Sequence, residues 1–290
     1  MPTEGAEIGF EVGYVETGLI NRGRFTISRI TPQLFPSRLT IIATAAPFKV
    51  ADDTEFKRRR SASYGPTTLG EIFRELTKRH GFSPRVAPKL EAVAIGHIDQ
   101  TDETDMAFLT RLAGKFDAVT KPYGSRYVLA PRGEVKSISG QTIPTTTVGV
   151  PPANKPEAAT FVNASLEESS RKTASGVRGK WSNADGGKYE YVEVGKKPFK
   201  ALRHPHATKA EAEAACSAEM RKLDREKRRI VLDLPGDPSL AAEGLVVTDS
   251  TWPAPYRGTW SIDRVTARGT RSGGYRCTVR CLVPGAKSEK

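Results

Sequence analysis

Cysteine, methionine and tryptophan occur only three times each in these 290 residues, and histidine four times. Two of the cysteines, Cys277 and Cys281, lie four residues apart in a stretch that reads as a strand. Extended, that separation exceeds ~12 Å, too long for a disulfide between them. All three are expected as buried thiols of a protein made in a reducing compartment. No CxxC pair is present, so a zinc site built on cysteine is not expected. The chain also lacks the run of ~18 apolar residues that a membrane helix requires, and it has no basic N-terminal segment leading into an apolar stretch and a cleavage site. It reads as a soluble, cytoplasmically made protein without membrane insertion. G-x-S-x-G, H-E-x-x-H and phosphate-binding loops are missing too. Acidic residues are outnumbered 33 to 45 by Lys and Arg, for a net charge of +12.

That excess of positive charge raises the question of nucleic acid, because Lys and Arg gain affinity for phosphate by releasing counterions. The cations are spread along the chain, however. Only Lys57-Arg58-Arg59-Arg60 and the segment from Arg221 to Arg229 form runs, and the second is interleaved with Asp224 and Glu226. Both are read as solvated faces or contacts to acidic protein partners. The length is enough for about two domains, each with its own core.

Alternating apolar residues mark strands at both ends. Phe10, Val12 and Tyr14, then Phe25 and Ile27, then Leu39 and Ile41 alternate with polar or small neighbours, and the tail does the same at Tyr275, Cys277, Val279, Cys281 and Val283. Between them the period changes. Thr68-Leu69-Gly70-Glu71 has the spacing of a capping box; Leu69, Ile72, Phe73 and Leu76 form one helical stripe; and Gly81 supplies a stop. A second helix is expected from about Asp102 to Phe116, with Phe108, Leu109, Leu112, Ala113 and Phe116 on one face. Ala118 to Pro131 reads as a hairpin turning at Tyr123-Gly124. Residues 132–159, rich in Ser, Thr, Pro and Gly, read as a linker. Strands resume near Phe161 and over Gly179–Val194, turning at Asn183–Gly187. Thr208-Lys209-Ala210-Glu211 is another capping box; it opens a helix to about Lys227 whose inward face carries Ala212, Cys216, Met220 and Leu223.

The strongest signal is an internal repeat. Arg22-Gly23-Arg24-Phe25-Thr26-Ile27-Ser28-Arg29-Ile30-Thr31 recurs as Arg257-Gly258-Thr259-Trp260-Ser261-Ile262-Asp263-Arg264-Val265-Thr266, with Arg, Gly, Ile, Arg and Thr identical. A further strand follows each copy at nearly the same distance. In both copies strict alternation fails at one place, since Phe25 and Ile27 share a face while Ile30 falls on the other. One extra residue resets the face, so a β-bulge is predicted near Ser28-Arg29 and again near Asp263-Arg264.

Residues 95–118 carry a longer and more specific pattern: Ile95-Gly96-His97-Ile98-Asp99-Gln100-Thr101-Asp102-Glu103-Thr104-Asp105, then Phe108-Leu109-Thr110-Arg111-Leu112-Ala113 and Phe116-Asp117-Ala118. This resembles the signature of the phage late control protein D family. Thr67-Thr68-Leu69-Gly70, Leu129-Ala130-Pro131-Arg132-Gly133, Leu202-Arg203-His204 and Leu240-Ala241-Ala242-Glu243-Gly244 extend the likeness in order along most of the chain. The resemblance implies a mainly β protein with an α+β insertion. A first tube-like antiparallel β-barrel would occupy residues 1–62, a helix-and-hairpin module 63–131, a linker 132–159, and a second barrel 160–290 with a helix at about 208–227. It further implies a structural, non-enzymatic baseplate hub of a contractile tail, assembled in the bacterial cytoplasm. The hub would be a homotrimer meeting a spike protein, tail tube and tape-measure protein, with no specific nucleic acid and no cofactor. Two similar units per chain would let a trimer present six around its axis. Family members carry strands ahead of the segment that starts here at Gly5-Ala6-Glu7-Ile8, so the chain is expected to enter its first barrel part-way through, leaving an unpaired edge.

Asp99, Asp102, Glu103 and Asp105 cluster as a wall hydrolase's carboxylates would, yet beside a helix start they more simply complement its N-terminus. His204-Pro205-His206 lacks a third metal ligand, and His97 reads as a structural hydrogen-bonding group. A DNA-binding regulator would need a recognition helix, and the helix from Thr208 has no helix-turn-helix partner. No catalytic, cofactor-binding or metal residue is assigned.

Overall fold

Alternation at the two ends of the chain produces strands of the same shape, and helical periodicity between them produces what separates them. The computed structural model describes residues 2–45, 58–123, 125–134, 145–168, 174–183, 187–270 and 273–285. The turn residues Gly124 and 184–186, Lys57 of the first basic run, and residues 135–144 of the expected linker lie outside them.

The chain opens with β1 (Glu7–Tyr14), β2 (Gly18–Gln33) and β3 (Arg38–Thr44), one antiparallel sheet in that order. A compact α+β unit follows: β4 (Arg59–Tyr64), β5 (Thr67–Thr68), α1 (Leu69–Arg79), β6 (Ser83–Val86), α2 (Pro88–Glu91), β7 (Ala94–Ile95), β8 (Ile98–Thr104), α3 (Asp105–Lys115), β9 (Ala118–Tyr123) and β10 (Arg126–Pro131). Beyond it come β11 (Thr145–Val148), β12 (Asn163–Glu168), β13 (Gly176–Asn183), β14 (Lys188–Gly195), β15 (Phe199–Ala201), α4 (Lys209–Glu226), β16 (Arg228–Pro235), β17 (Leu245–Thr248), β18 (Gly258–Thr270) and β19 (Gly274–Leu282). The fold is thus mainly β.

At Thr68 the capping box forms in full: its hydroxyl accepts from Glu71 N at 3.2 Å and the Glu71 carboxylate accepts from Thr68 N at 3.0 Å. The stripe of α1 is buried, with Leu69, Ile72, Phe73 and Leu76 packing on Phe108, Leu112, Tyr127 and Leu129. Gly81, at φ +77°, turns the chain out in the left-handed region where glycine carries no steric penalty.

The second helix begins three residues later than its caps suggested. Residues 98–104 pair with β4 as strand β8, and the chain turns at Asp102, whose φ is +46°. Thr104 then caps α3, accepting from Ala107 N at 3.2 Å. Ladder pairing with a strand some forty residues away outweighs the local preference of Asp and Thr for a helix start. Within the span read as a linker, Thr145–Val148 runs parallel to β17 in register from Thr145↔Leu245 to Val148↔Thr248. Four residues at the edge of a sheet leave no apolar period to find.

The third region holds a six-stranded sheet ordered β11-β17-β18-β19-β16-β12, closed over Ile230, Leu232, Leu240, Val246, Trp252, Trp260, Cys277, Val279 and Cys281. All three cysteines are free and buried. A smaller sheet, β14-β13-β15, is covered on one face by α4 through Val177, Val192, Ala212 and Cys216. A side chain at Gly179 would meet Cys216 Sγ at 2.8 Å, so glycine lets the helix approach. The capping motif of α4 is used differently from the first. Thr208 accepts from Glu211 N at 3.2 Å, but the Glu211 carboxylate accepts from Gly96 N at 2.6 Å and Ala207 N at 3.2 Å. The sequence motif becomes a tie between α4 and the α+β unit.

Candidate assembly interface

The repeat is structural as well as sequential. Register shifts fall between Ile27 and Arg29 on β2 and between Ile262 and Arg264 on β18, both at the predicted bulges. Gly23 and Gly258 occupy the same repeat position and both take positive φ, +103° and +143°. The partner strands match pair for pair. Ile27↔Ala43, Ile30↔Ile41 and Thr31↔Thr40 in one copy answer Ile262↔Cys281, Val265↔Val279 and Thr266↔Thr278 in the other.

In the first copy, opposition across the ladder places Ile8 with Phe25, Ile30 with Ile41 and Pro32 with Leu39, so one face is largely apolar. Phe10 meets Phe25 edge-on at 6.4 Å between ring centroids. That face is uncovered: Phe10 is 51% exposed, Leu39 44% and Ile41 38%, and of the large apolar groups only Ile27 is buried. Among the described residues β1 and β3 each have one strand neighbour, β2. An exposed apolar area of this kind is a place where another surface can pack.

The sheet is anchored to the third region at one corner. Tyr14 Oη donates to Gly236 O at 2.8 Å, its ring lies 6.0 Å from that of Tyr275, and Arg22 donates to Pro238 O. Burial pushes the Tyr14 phenol above its ordinary pKa. A Cβ at Gly236 would stand inside the Tyr275 ring, so glycine is required there. Sequence reading missed this corner, since Tyr14 and Tyr275 each look like one more member of an alternating strand.

The signature at 95–118 serves architecture. Gln100 donates to Asp105 Oδ1 at 2.8 Å and to Glu103 O at 3.0 Å. Asp105, fully buried, has His80 Nε2 at 2.8 Å, Arg79 at 3.2 Å and Arg60 at 3.7 Å. Burial works to raise its pKa, but the Gln100 and His80 hydrogen bonds and the Arg79 charge outweigh it and hold the carboxyl below the usual value. Asp117, at φ +55°, turns the chain out of α3 and forms a buried ion pair with Arg225 of α4. Of the four clustered acids, Asp99 accepts from Ser63, Asp102 pairs with Arg59 and Glu103 pairs with Arg111. None is left facing an apolar cleft as a catalytic acid would be.

His97 Nε2 lies 3.2 Å from Asp99 Oδ1. His206 extends the β13 ladder, accepting from Ser182 N and donating to Lys180 O, and burial lowers its imidazole pKa. Among the described residues no three of His, Cys, Asp and Glu converge as metal ligands, and no helix is long and apolar enough to cross a membrane. The basic runs are largely neutralised within the chain. Arg59 and Arg60 reach Asp102 and Asp105, Arg225 reaches Asp117, and Arg228 and Arg229 face Glu168 and Glu167. Arg225, read as part of a solvated face, is instead buried, because α4 packs its C-terminal turn against the end of α3.

No family model matches the chain. It is 30% identical over 213 residues to the probable baseplate hub protein of Escherichia phage 186, an alignment covering 71% of this chain and 52% of that protein. With the probable baseplate hub protein of Escherichia phage P2 it shares 31% over 148 residues, 51% of this chain and 37% of that one. The chain thus spans about half the length, or less, of the curated relatives it matches. Among solved structures, the 43 kDa tail protein of prophage MuSo2 from Shewanella oneidensis superimposes with a TM-score of 0.59 at 14% identity, covering 96% of this chain and 89% of that one. A tail protein from Neisseria meningitidis MC58 gives a TM-score of 0.61 at 12% identity, over 91% and 82% of the two chains. The E. coli c3393 protein, a component of the type VI secretion system, gives 0.58 at 12%, over 96% and 64%. At such identities the structural likeness shows the fold. The sequence relatives bear out the resemblance read at residues 95–118.

Proposed function

We propose that this chain, a relative of the phage 186 and P2 baseplate hub proteins, is a structural hub of a contractile tail that works as a homotrimer and not as an enzyme. The observation that carries the reading is the pairing of two matched β units, one closed over its core and one with its apolar face exposed among the described residues. The open unit is the surface on which neighbouring subunits close. In this reading β1–β3 and the six-stranded sheet belong to two tube-like barrels flanking the α+β unit of residues 63–131, and three chains set six similar units around one axis. The expected partners are a spike below and tube and tape-measure proteins above, in the baseplate of a virion tail assembled in the host cytoplasm. Internal use of the clustered carboxylates supports the non-enzymatic reading over a tail-associated hydrolase.

Light scattering on the chain alone and co-expressed with a cognate spike protein tests this. A trimer in either setting is expected, and replacing Ile41 and Leu39 by Ser should dissolve it while leaving the far-ultraviolet circular dichroism unchanged. A folded monomer indifferent to the spike would overturn the assembly role.

A further inference from the structure

The sheet β14-β13-β15 has one face occupied by α4 and an outer face turned away from it. Its outer face carries Tyr189 and Tyr191 of β14, Arg178 and Lys180 of β13 and Phe199 of β15. Tyr189 is 56% exposed and Tyr191 64%. These rings are not a spilled core, because the apolar side chains of the same strands, Val177 and Val192, are already buried under α4. Each ring instead has a cation against it. Lys180 Nζ lies 5.1 Å from the Tyr189 centroid, and the Arg178 guanidinium lies 5.6 Å from that of Tyr191 and 5.3 Å from that of Phe199. The acid on this face, Glu193, accepts from Arg178 Nε at 2.7 Å. Beside the rings a shallow cleft of about 510 Å³ is lined by Arg178, Lys197, Pro198, Phe199 and Ala201.

From this arrangement we propose that the outer face of the β13–β14–β15 sheet binds single-stranded nucleic acid without sequence preference. Aromatic rings interleaved with cations are what such a ligand requires: bases stack on the rings and phosphates meet the Lys and Arg heads. Spacing agrees, since Tyr189 and Tyr191 are two residues apart on one strand and so ~6.7 Å apart along it. That is about twice the ~3.4 Å step between neighbouring stacked nucleotides. The face therefore suits a strand whose bases are already unstacked. A duplex keeps its bases stacked and so hides the faces these rings would meet. An acidic protein segment would use the cations but gain little from three rings. The inference goes beyond the hub reading and does not depend on it.

Fluorescence anisotropy of a labelled oligothymidylate with the full chain tests it. Binding at low salt is expected, weakening steeply between ~50 and ~200 mM salt. Tyr189→Ala and Tyr191→Ala, which leave the net charge unchanged, should each weaken binding about fivefold or more, whereas Tyr191→Phe, keeping the ring, should bind as the parent does. Because both rings are exposed, the variants should melt with the parent. No binding at low salt would overturn the proposal. So would equal affinity for duplex of the same length, or affinity indifferent to both alanine variants. Displacement of the oligonucleotide by polyglutamate at matched charge would assign the face to an acidic protein partner instead.

Discussion

Ile41 and Val279 hold the same place in the two copies of the repeat, opposite Ile30 and Val265, yet Ile41 is 38% exposed and Val279 fully buried. Leu39 and Cys277 differ in the same way, at 44% and 0%. Strand, bulge, register and positive-φ glycine are common to both copies, so local structure does not make the difference. What differs is the neighbourhood. β19 has β16 along its far edge, and Trp252, Leu240 and Val246 close the core over it, whereas β3 has no strand beyond it among the described residues. A β unit of this type carries enough apolar surface to be finished from outside, and among the described residues only the second copy is covered.

The largest effect that could break this comparison comes from the aromatic pair at its centre. Trp260→Ala should cost about 3–5 kcal/mol, since it empties a core position and removes the hydrogen bond that Thr248 Oγ1 accepts from Trp260 Nε1 at 3.0 Å. Phe25→Ala, at the matching position but only half-buried, should cost about 1.5 kcal/mol or less in the isolated chain. Urea denaturation of both variants reads the contrast, and equal losses would mean that the first copy is covered after all.

Next in size is the polar core of the α+β unit. Asp105→Ala removes a buried carboxylate that faces His80, Arg79 and Arg60 and should cost about 3 kcal/mol. The folded-state pKa of Asp105 is depressed, so its contribution is present above the ordinary value of 3.8 and is lost as pH falls below it, where the unfolded chain takes up the proton first. Denaturation at about pH 7 and about pH 3 should therefore show a smaller acid loss in Asp105→Ala than in the parent. The smallest effect concerns the corner that joins the two copies. Tyr14→Phe deletes the hydrogen bond to Gly236 O and should cost about 1 kcal/mol. Hydrogen exchange should show the loosening confined to β1 and β2.

Much of this was legible in the chain itself. The bulges followed from a counting argument on Ile27 and Ile30, and the stripe of α1 from Leu69, Ile72, Phe73 and Leu76, because period and caps are local properties. The start of α3 was misread at Asp102 because a strand partner, Arg59–Tyr64, took residues that by themselves favour a helix cap. Glu211 was read as a capping-box acid and instead binds Gly96 N, since a carboxylate within reach of two orphan donors goes to the one that packing presents.

The sequence by itself determined the repeat, its shared register break and the family likeness at residues 95–118, since all three reside in the order of residues along the chain. Tertiary structure alone decided which copy is covered, where Tyr14 and Arg225 find partners more than a hundred residues away, and which face of β13–β14–β15 stays open. Burial depends on what the rest of the chain brings alongside a strand, and an alternating pattern marks only the face that wants covering.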